Sequence, residues 1–165
     1  MLKYAYGYDM IVADFVAQLI PHCHRGFPPT SKCIGILDTN IADGSLIAGL
    51  VYHNYDPEAG IIEISGAALP GCSHWLSRET IKRMYQYPFH QVGVQMIVQR
   101  TPADDEHLLR QLAVYDYVFV KVPRMFGRDR DGVLCLLTYE DWAANRFNKR
   151  FKHHIPDEPA LEEAA

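Results

Sequence analysis

Hydrophobic positions along the chain follow two rhythms. Ile11, Val12, Phe15, Val16 and Leu19 recur at helical spacing between residues 9 and 20, and Pro21 ends the run, which predicts one amphipathic helix ahead of any strand. After the polar loop HCHRGFPPTSK come three strand-like segments, CIGILD at 33–38, SLIAGLVYHNY at 45–55 and AGIIEISGA at 59–67. The connections TNIADG and DPEAG are short and carry Asp-Gly and Asp-Pro turn chemistry, so the three should form an antiparallel meander.

A helical period returns after residue 72. Leu76, Thr80, Met84 and Tyr87 make an apolar stripe and Arg78, Lys82 and Gln86 a polar one, with Pro88 as the expected end. VQMIVQR at 94–100 reads as a strand, and TPAD as the start of a third helix with Thr101 at the N-cap and Pro102 at the first helical position. Leu108, Leu109, Leu112 and Tyr115 are that helix's expected buried face. YVFVKVPRMF and GVLCLLT form a hairpin around GRDRDG, and YEDWAANRFNKRF a terminal helix with Thr138 and Asp141 at capping-box spacing. Meander strands followed by a βαβ unit exclude a doubly wound parallel fold and predict a mixed α+β sheet covered by helices.

Composition fits one folded domain over residues 1–152. The chain has 165 residues, 48% of them hydrophobic, which suffices for a single core without disulfide staples. Residues 153–165 read as an acidic tail without fixed structure. No basic leader with a cleavage site is visible and no apolar stretch approaches about 18 residues, which predicts a cytoplasmic protein with no membrane partner. The net charge of −4 argues against a nucleic-acid partner. The basic bias of 121–152 is either a solvated face or a contact for phosphates or an acidic partner. Cys23, Cys33, Cys72 and Cys135 lack a CxxC pair and read as reduced thiols, and His22-Cys23-His24 lacks the spacing of a metal site, so no metal is expected. Cys72 with His74 has no third member to make a nucleophilic site.

Chemistry concentrates at the junction EISGAALPGCSHWLSRETIKR, residues 63–83. Gly66, Ala67, Ala68, Gly71 and Ser73 are small residues between a strand and a helix, and a helix start exposes unpaired N–H groups that attract anions. The same letters also describe a tight turn with Ser73 as a helix cap.

The strand order, this junction, the following βα unit and the ending GRDRDGVLCLLTYEDW together resemble the GNAT superfamily of acetyl-CoA-dependent N-acetyltransferases over roughly residues 33–142. The ending is similar to the ribosomal-protein-alanine acetyltransferase branch. The resemblance implies a mixed, mostly antiparallel sheet of six to seven strands with helices on both faces. It also implies acetyl-CoA as cofactor, its diphosphate against Gly71, Cys72, Ser73, His74, Trp75 and Leu76. Its pantetheine arm would lie along Glu63, Ile64, Ser65, Gly66, Ala67 and Ala68, where the fourth and fifth strands splay. A primary amine of a small molecule or protein would be the acceptor, attacking the thioester directly in a ternary complex and recognised by PHCHRGFPPTSK and RMFGRDRDG. The aromatic-rich final hairpin offers an edge for a homodimer. The family's glycine-rich loop is replaced by LPGCSHWLS, which keeps open a second expectation, a non-catalytic module of the same fold that binds acyl-CoA or another protein.

Acetyl transfer needs a group to take the amine's proton and another to protonate the departing thiolate. Alternation sets Ile62 and Ile64 on one strand face and Ile61, Glu63 and Ser65 on the other, which makes Glu63 the candidate base, with an apolar neighbour to raise its pKa. Tyr115 and Tyr117, at the end of the third helix, are the candidates to return the proton.

Overall fold

The structure, a computed structural model, describes residues 1–41 and 44–148. The tail at 153–165 and the basic residues Lys149, Arg150 and Lys152 lie outside the described residues. Among the described residues seven strands form one sheet in the order β1-β2-β3-β4-β5-β7-β6. These are β1 (Leu2–Ala5), β2 (Lys32–Asp38), β3 (Ser45–Asp56), β4 (Ile61–Ala68), β5 (Met96–Pro102), β6 (Val118–Val122) and β7 (Gly132–Thr138). The helices are α1 (Asp9–Leu19), α2 (Arg78–Gln86), α3 (Glu106–Ala113) and α4 (Tyr139–Ala144). The mixed, mostly antiparallel architecture is the one expected, with β4 and β5 as its parallel pair.

Alternation divides the helices between the two faces. Ile62 and Ile64 of β4 and Ile97 of β5 belong to the larger core, together with Tyr85 of α2, Leu112 of α3 and Trp142 of α4. On the other face α1 packs Val12 and Val16 against Cys33 and Val51. Gly49 is what lets α1 approach: a Cβ there would lie 2.6 Å from Val16 Cγ2 and 2.8 Å from Val12 Cγ1.

Several boundaries differ from the sequence reading, each for a local reason. A strand, β1, precedes the first helix and pairs antiparallel with β2 from Leu2↔Asp38 to Ala5↔Gly35. Its four residues have too short a pattern to announce an edge strand, and the partner supplies the order. Pro88 does not end the helical path but lies in a π-helical turn, Tyr87–Val92, where the first positions need no N–H donor. Gly93, with φ +80°, ends it.

Thr101 is not the cap of α3. It is fully buried in β5, paired with Val133, and the cap is Asp105, whose carboxylate accepts from the Leu108 N–H at 3.1 Å. Ser73 likewise sits in a 3₁₀ turn, Ser73–Trp75, and the cap of α2 is Ser77, which accepts from the Thr80 N–H at 3.1 Å. Thr138 does cap α4, accepting from the Asp141 N–H at 3.1 Å. That helix stops at Ala144, where Asn145 turns extended and donates instead to the Val114 carbonyl and Asp116 carboxylate.

Candidate active site

β4 and β5 pair at Ile61↔Met96, Ile62↔Ile97 and Glu63↔Val98, and their pairing stops there, although β4 runs on to Ala68 and β5 to Pro102. The sheet is thus forked beside Glu63. The Leu69 N–H donates to the Ile47 carbonyl on the β3 side and the Gly60 carbonyl accepts from Gln95 and Met96 on the β5 side. By alternation the main-chain groups of Ile64, Gly66 and Ala68 face the fork.

At the base of the fork, on the α1 face, three strands bring polar groups together. Glu63 of β4 is the register partner of His53 of β3, and Glu63 Oε2 lies 3.5 Å from His53 Nδ1. Arg100 of β5 places Nε 3.3 Å from the same oxygen. His53 Nε2 is 3.0 Å from the Ser65 Oγ. The neighbours of Glu63 are therefore an imidazole and a guanidinium rather than the expected apolar side chain. Neither His53 nor Arg100 figures in the sequence reading: His53 ends an apolar run, and only the cross-strand register shows it facing a carboxylate.

His53 is 5% exposed, and burial lowers its pKa, with Arg100 in the same direction and Glu63 opposing. The ring is held neutral, with Phe27 packed at 4.9 Å between centroids. Over this face, His22 of the 3₁₀ turn Pro21–Cys23 packs on Phe126 of the β6–β7 hairpin at 4.7 Å. The two segments expected to read the acceptor thus meet.

The predicted cofactor residues occupy the other rim. Ser65, Gly66, Ala67 and Ala68 line β4 beyond the pairing limit. Gly71 turns with φ +83°. The Cys72, Trp75 and Leu76 amides are donated to the carbonyls of Leu69, Cys72 and Ser73, so internal turns already use three of the six predicted diphosphate donors. His74 is tied through Nε2 to the Asp38 carboxylate at 3.0 Å. The Trp75 ring lies over Gly66, 3.4 Å from where a Cβ would stand. The helix start thus falls at Arg78, beside a cavity of about 460 Å³ that is lined by Arg78, Lys82, Tyr85, Tyr115, Trp142 and Arg146 among others.

Tyr115 and Tyr117 are not brought to Glu63. Tyr117 is buried in the larger core and donates its hydroxyl to that of Tyr85 at 3.3 Å. Tyr115 is half-buried against Tyr85 and Phe147, on the α2–α3 side of the sheet. Burial raises the pKa of both phenols, which keeps them protonated.

The histidines make a stability prediction. Burial is the leading cause lowering the pKa of His22, His53 and His90. Below about pH 6.5 the unfolded chain takes up protons that the folded chain resists, so the free energy of unfolding falls as pH drops; above that value the effect vanishes. Asp38, Asp104 and Asp131, with lowered pKa from hydrogen bonds, add acid sensitivity only near and below about pH 4. Thermal unfolding should therefore lose midpoint temperature between about pH 7 and pH 5, and His53→Gln should flatten part of that slope. A flat wild-type profile across this window contradicts the assignment.

No family model matches the chain, and no curated protein matches it in sequence. Solved structures do match. The spermidine/spermine N-acetyltransferase SpeG of Vibrio cholerae, in mutant forms, superposes with a TM-score of 0.66 at 14% identity, covering 86% of this chain and 97% of that one. A dodecameric structure of spermidine N-acetyltransferase from the same organism gives a TM-score of 0.66 at 11% identity, over 88% and 98% of the two chains. A protein provisionally named an acetyltransferase gives a TM-score of 0.63 at 15% identity, over 78% and 69%. Likeness at these identities establishes the fold, which is that of the GNAT superfamily. The likeness is one of fold alone and does not reach to the ribosomal-protein-alanine acetyltransferase branch.

Proposed function

We propose that the protein is an N-acetyltransferase that moves an acetyl group from acetyl-CoA to a primary amine. The observation that carries the reading is the fork between β4 and β5 with Glu63 and His53 at its base, in a fold that structural neighbours use for acetyl transfer to amines. Acetyl-CoA fits this chain at two places. The outward main-chain groups of Ile64, Gly66 and Ala68 suit the amides of a pantetheine arm, and Arg78 at the start of α2 suits a phosphate. When bound, acetyl-CoA supplies the activated acyl group. The residues 71–76 would shape this rim more than supply its donors, three of their amides being already used.

The chain's own residues then hold and move protons. Glu63, partly exposed on the α1 face, attracts the acceptor's ammonium, and the Glu63–His53 pair takes its proton, since the neutral ring has an open valence for one. Arg100 pins the carboxylate from the opposite strand and keeps it oriented. Of the two tyrosines, Tyr115 is the one with open surface on the side from which the arm enters, and its protonated phenol is the donor available to a departing thiolate. The acceptor enters between the His22 turn and the Phe126 hairpin. A second copy of the chain would add at β6, the edge strand on which Val118, Phe119 and Val120 are exposed.

The test is thiol release from acetyl-CoA with a panel of primary amines, including polyamines, amino acids and peptide N-termini. Release that depends on one amine class is the expected result. Coenzyme A binding with no amine turned over would instead favour a non-catalytic module of the same fold.

A further inference from the structure

Ser65, His53 and Glu63 form a chain of contacts with the order of a nucleophile, its base and the base's orienting acid. Ser65 Oγ is 3.0 Å from His53 Nε2, and His53 Nδ1 is 3.5 Å from Glu63 Oε2. A carboxylate beside Nδ1 selects the tautomer protonated there, which leaves Nε2 as an acceptor aimed at the Ser65 hydroxyl. Arg100 Nε holds the same Glu63 oxygen at 3.3 Å, fixing the far end. The residues come from adjacent strands: His53 from β3, and Glu63 and Ser65 from β4 two positions apart, so both project on one face.

The environment suits a nucleophile. Ser65 is half-buried and stands just past the point where β4 leaves β5, at the fork's opening rather than within paired sheet. The next residue, Gly66, directs its N–H into the fork by the alternation derived above, where it could meet a developing oxyanion. The Cys23 thiol is a neighbour of Ser65, and burial raises its pKa, so it is protonated and not a competing thiolate at neutral pH.

We propose that Ser65, activated by His53 and Glu63, is an acyl-accepting nucleophile, giving the protein a second activity: hydrolysis of activated esters and thioesters through an acyl-serine. Ser65 Oγ bonds to the acyl carbon as its proton passes to His53 Nε2. The bond from that carbon to the leaving oxygen or sulfur breaks, and the leaving group takes the proton from His53. Water then attacks the acyl-serine carbon and gives a proton to His53. The serine departs with that proton, and a carboxylic acid is released. This activity rests on the contacts among the three side chains and does not depend on coenzyme A binding.

The test uses the full chain with p-nitrophenyl acetate, without coenzyme A or amine. Nitrophenolate release is followed and the acylated peptide is mapped by mass spectrometry. Acetylation at Ser65 is expected, with the acylation rate falling at least about a hundredfold in Ser65→Ala and in His53→Gln. Ser65→Cys should restore an acyl adduct at the same position, which a purely structural role for the hydroxyl would not predict. Because His53 is buried, its variant is read beside a thermal melt, and Ser65→Ala decides if His53→Gln fails to fold. The proposal is overturned if the acetyl group maps to Cys23 or a surface lysine with Ser65 unmodified, or if Ser65→Ala acylates within a few-fold of wild type. Failure here leaves the coenzyme A reading intact, and a failed coenzyme A titration leaves this result standing.

Discussion

Glu63→Gln is expected to lower the rate of amine acetylation by about 10²- to 10⁴-fold, the range associated with loss of a positioned general base. The amide keeps the shape of the side chain but cannot hold the proton, and it ends the ion pair with Arg100 and the charged contact with His53. Since Glu63 lies on the α1 face and the outward main-chain groups of Ile64, Gly66 and Ala68 face the fork, acetyl-CoA affinity should change little. The split between kcat and cofactor Kd is therefore the informative readout, taken by steady-state kinetics beside calorimetry. An unchanged rate would remove Glu63 from the chemistry.

The largest expected loss of stability is at Trp142. The indole is 8% exposed, stacks on Phe89 at 5.1 Å, meets the edge of His90 at 5.2 Å and the Tyr139 ring at 6.0 Å. It joins α4 to the π-helical turn and forms one wall of the cavity beside α2. Trp142→Ala removes a large buried surface and leaves a void the short α4 cannot collapse into, so it should cost about 3–5 kcal/mol in a urea melt. A loss under about 1 kcal/mol would mean that the aromatic cluster does not clamp these elements.

What could be read from the letters, and what could not, divides along the distance over which each feature is determined. The central strands and the orientation of Glu63 follow from alternation, because Ile62 and Ile64 must be buried together and Glu63 must then face the other way. Capping was less legible. Several Ser, Thr and Asp residues stand within a few positions of each helix start, and tertiary packing chose Ser77 over Ser73 and Asp105 over Thr101, whose side chain the core needed.

The site was half visible for the same reason. Glu63 could be proposed from one strand, but its surroundings come from two others: His53 by register across β3 and Arg100 from β5 beyond the parallel pair. No spacing in the chain links residues 53, 63 and 100. The tyrosines illustrate the converse, since position at a helix end suggested them and packing placed Tyr117 in a closed pair with Tyr85. The bulky pair His74 and Trp75 borders the fork: the Trp75 ring rests over Gly66, and His74 is drawn aside to Asp38.

The central claim is that the fork between β4 and β5 holds an acyl-CoA. Calorimetric titration of the full chain with acetyl-CoA tests it most directly. Saturable one-to-one binding with a Kd between about 1 μM and 1 mM is the result expected for an enzyme working near physiological substrate levels. The absence of binding heat at several temperatures, with acetyl-CoA raised to millimolar concentration, would contradict it.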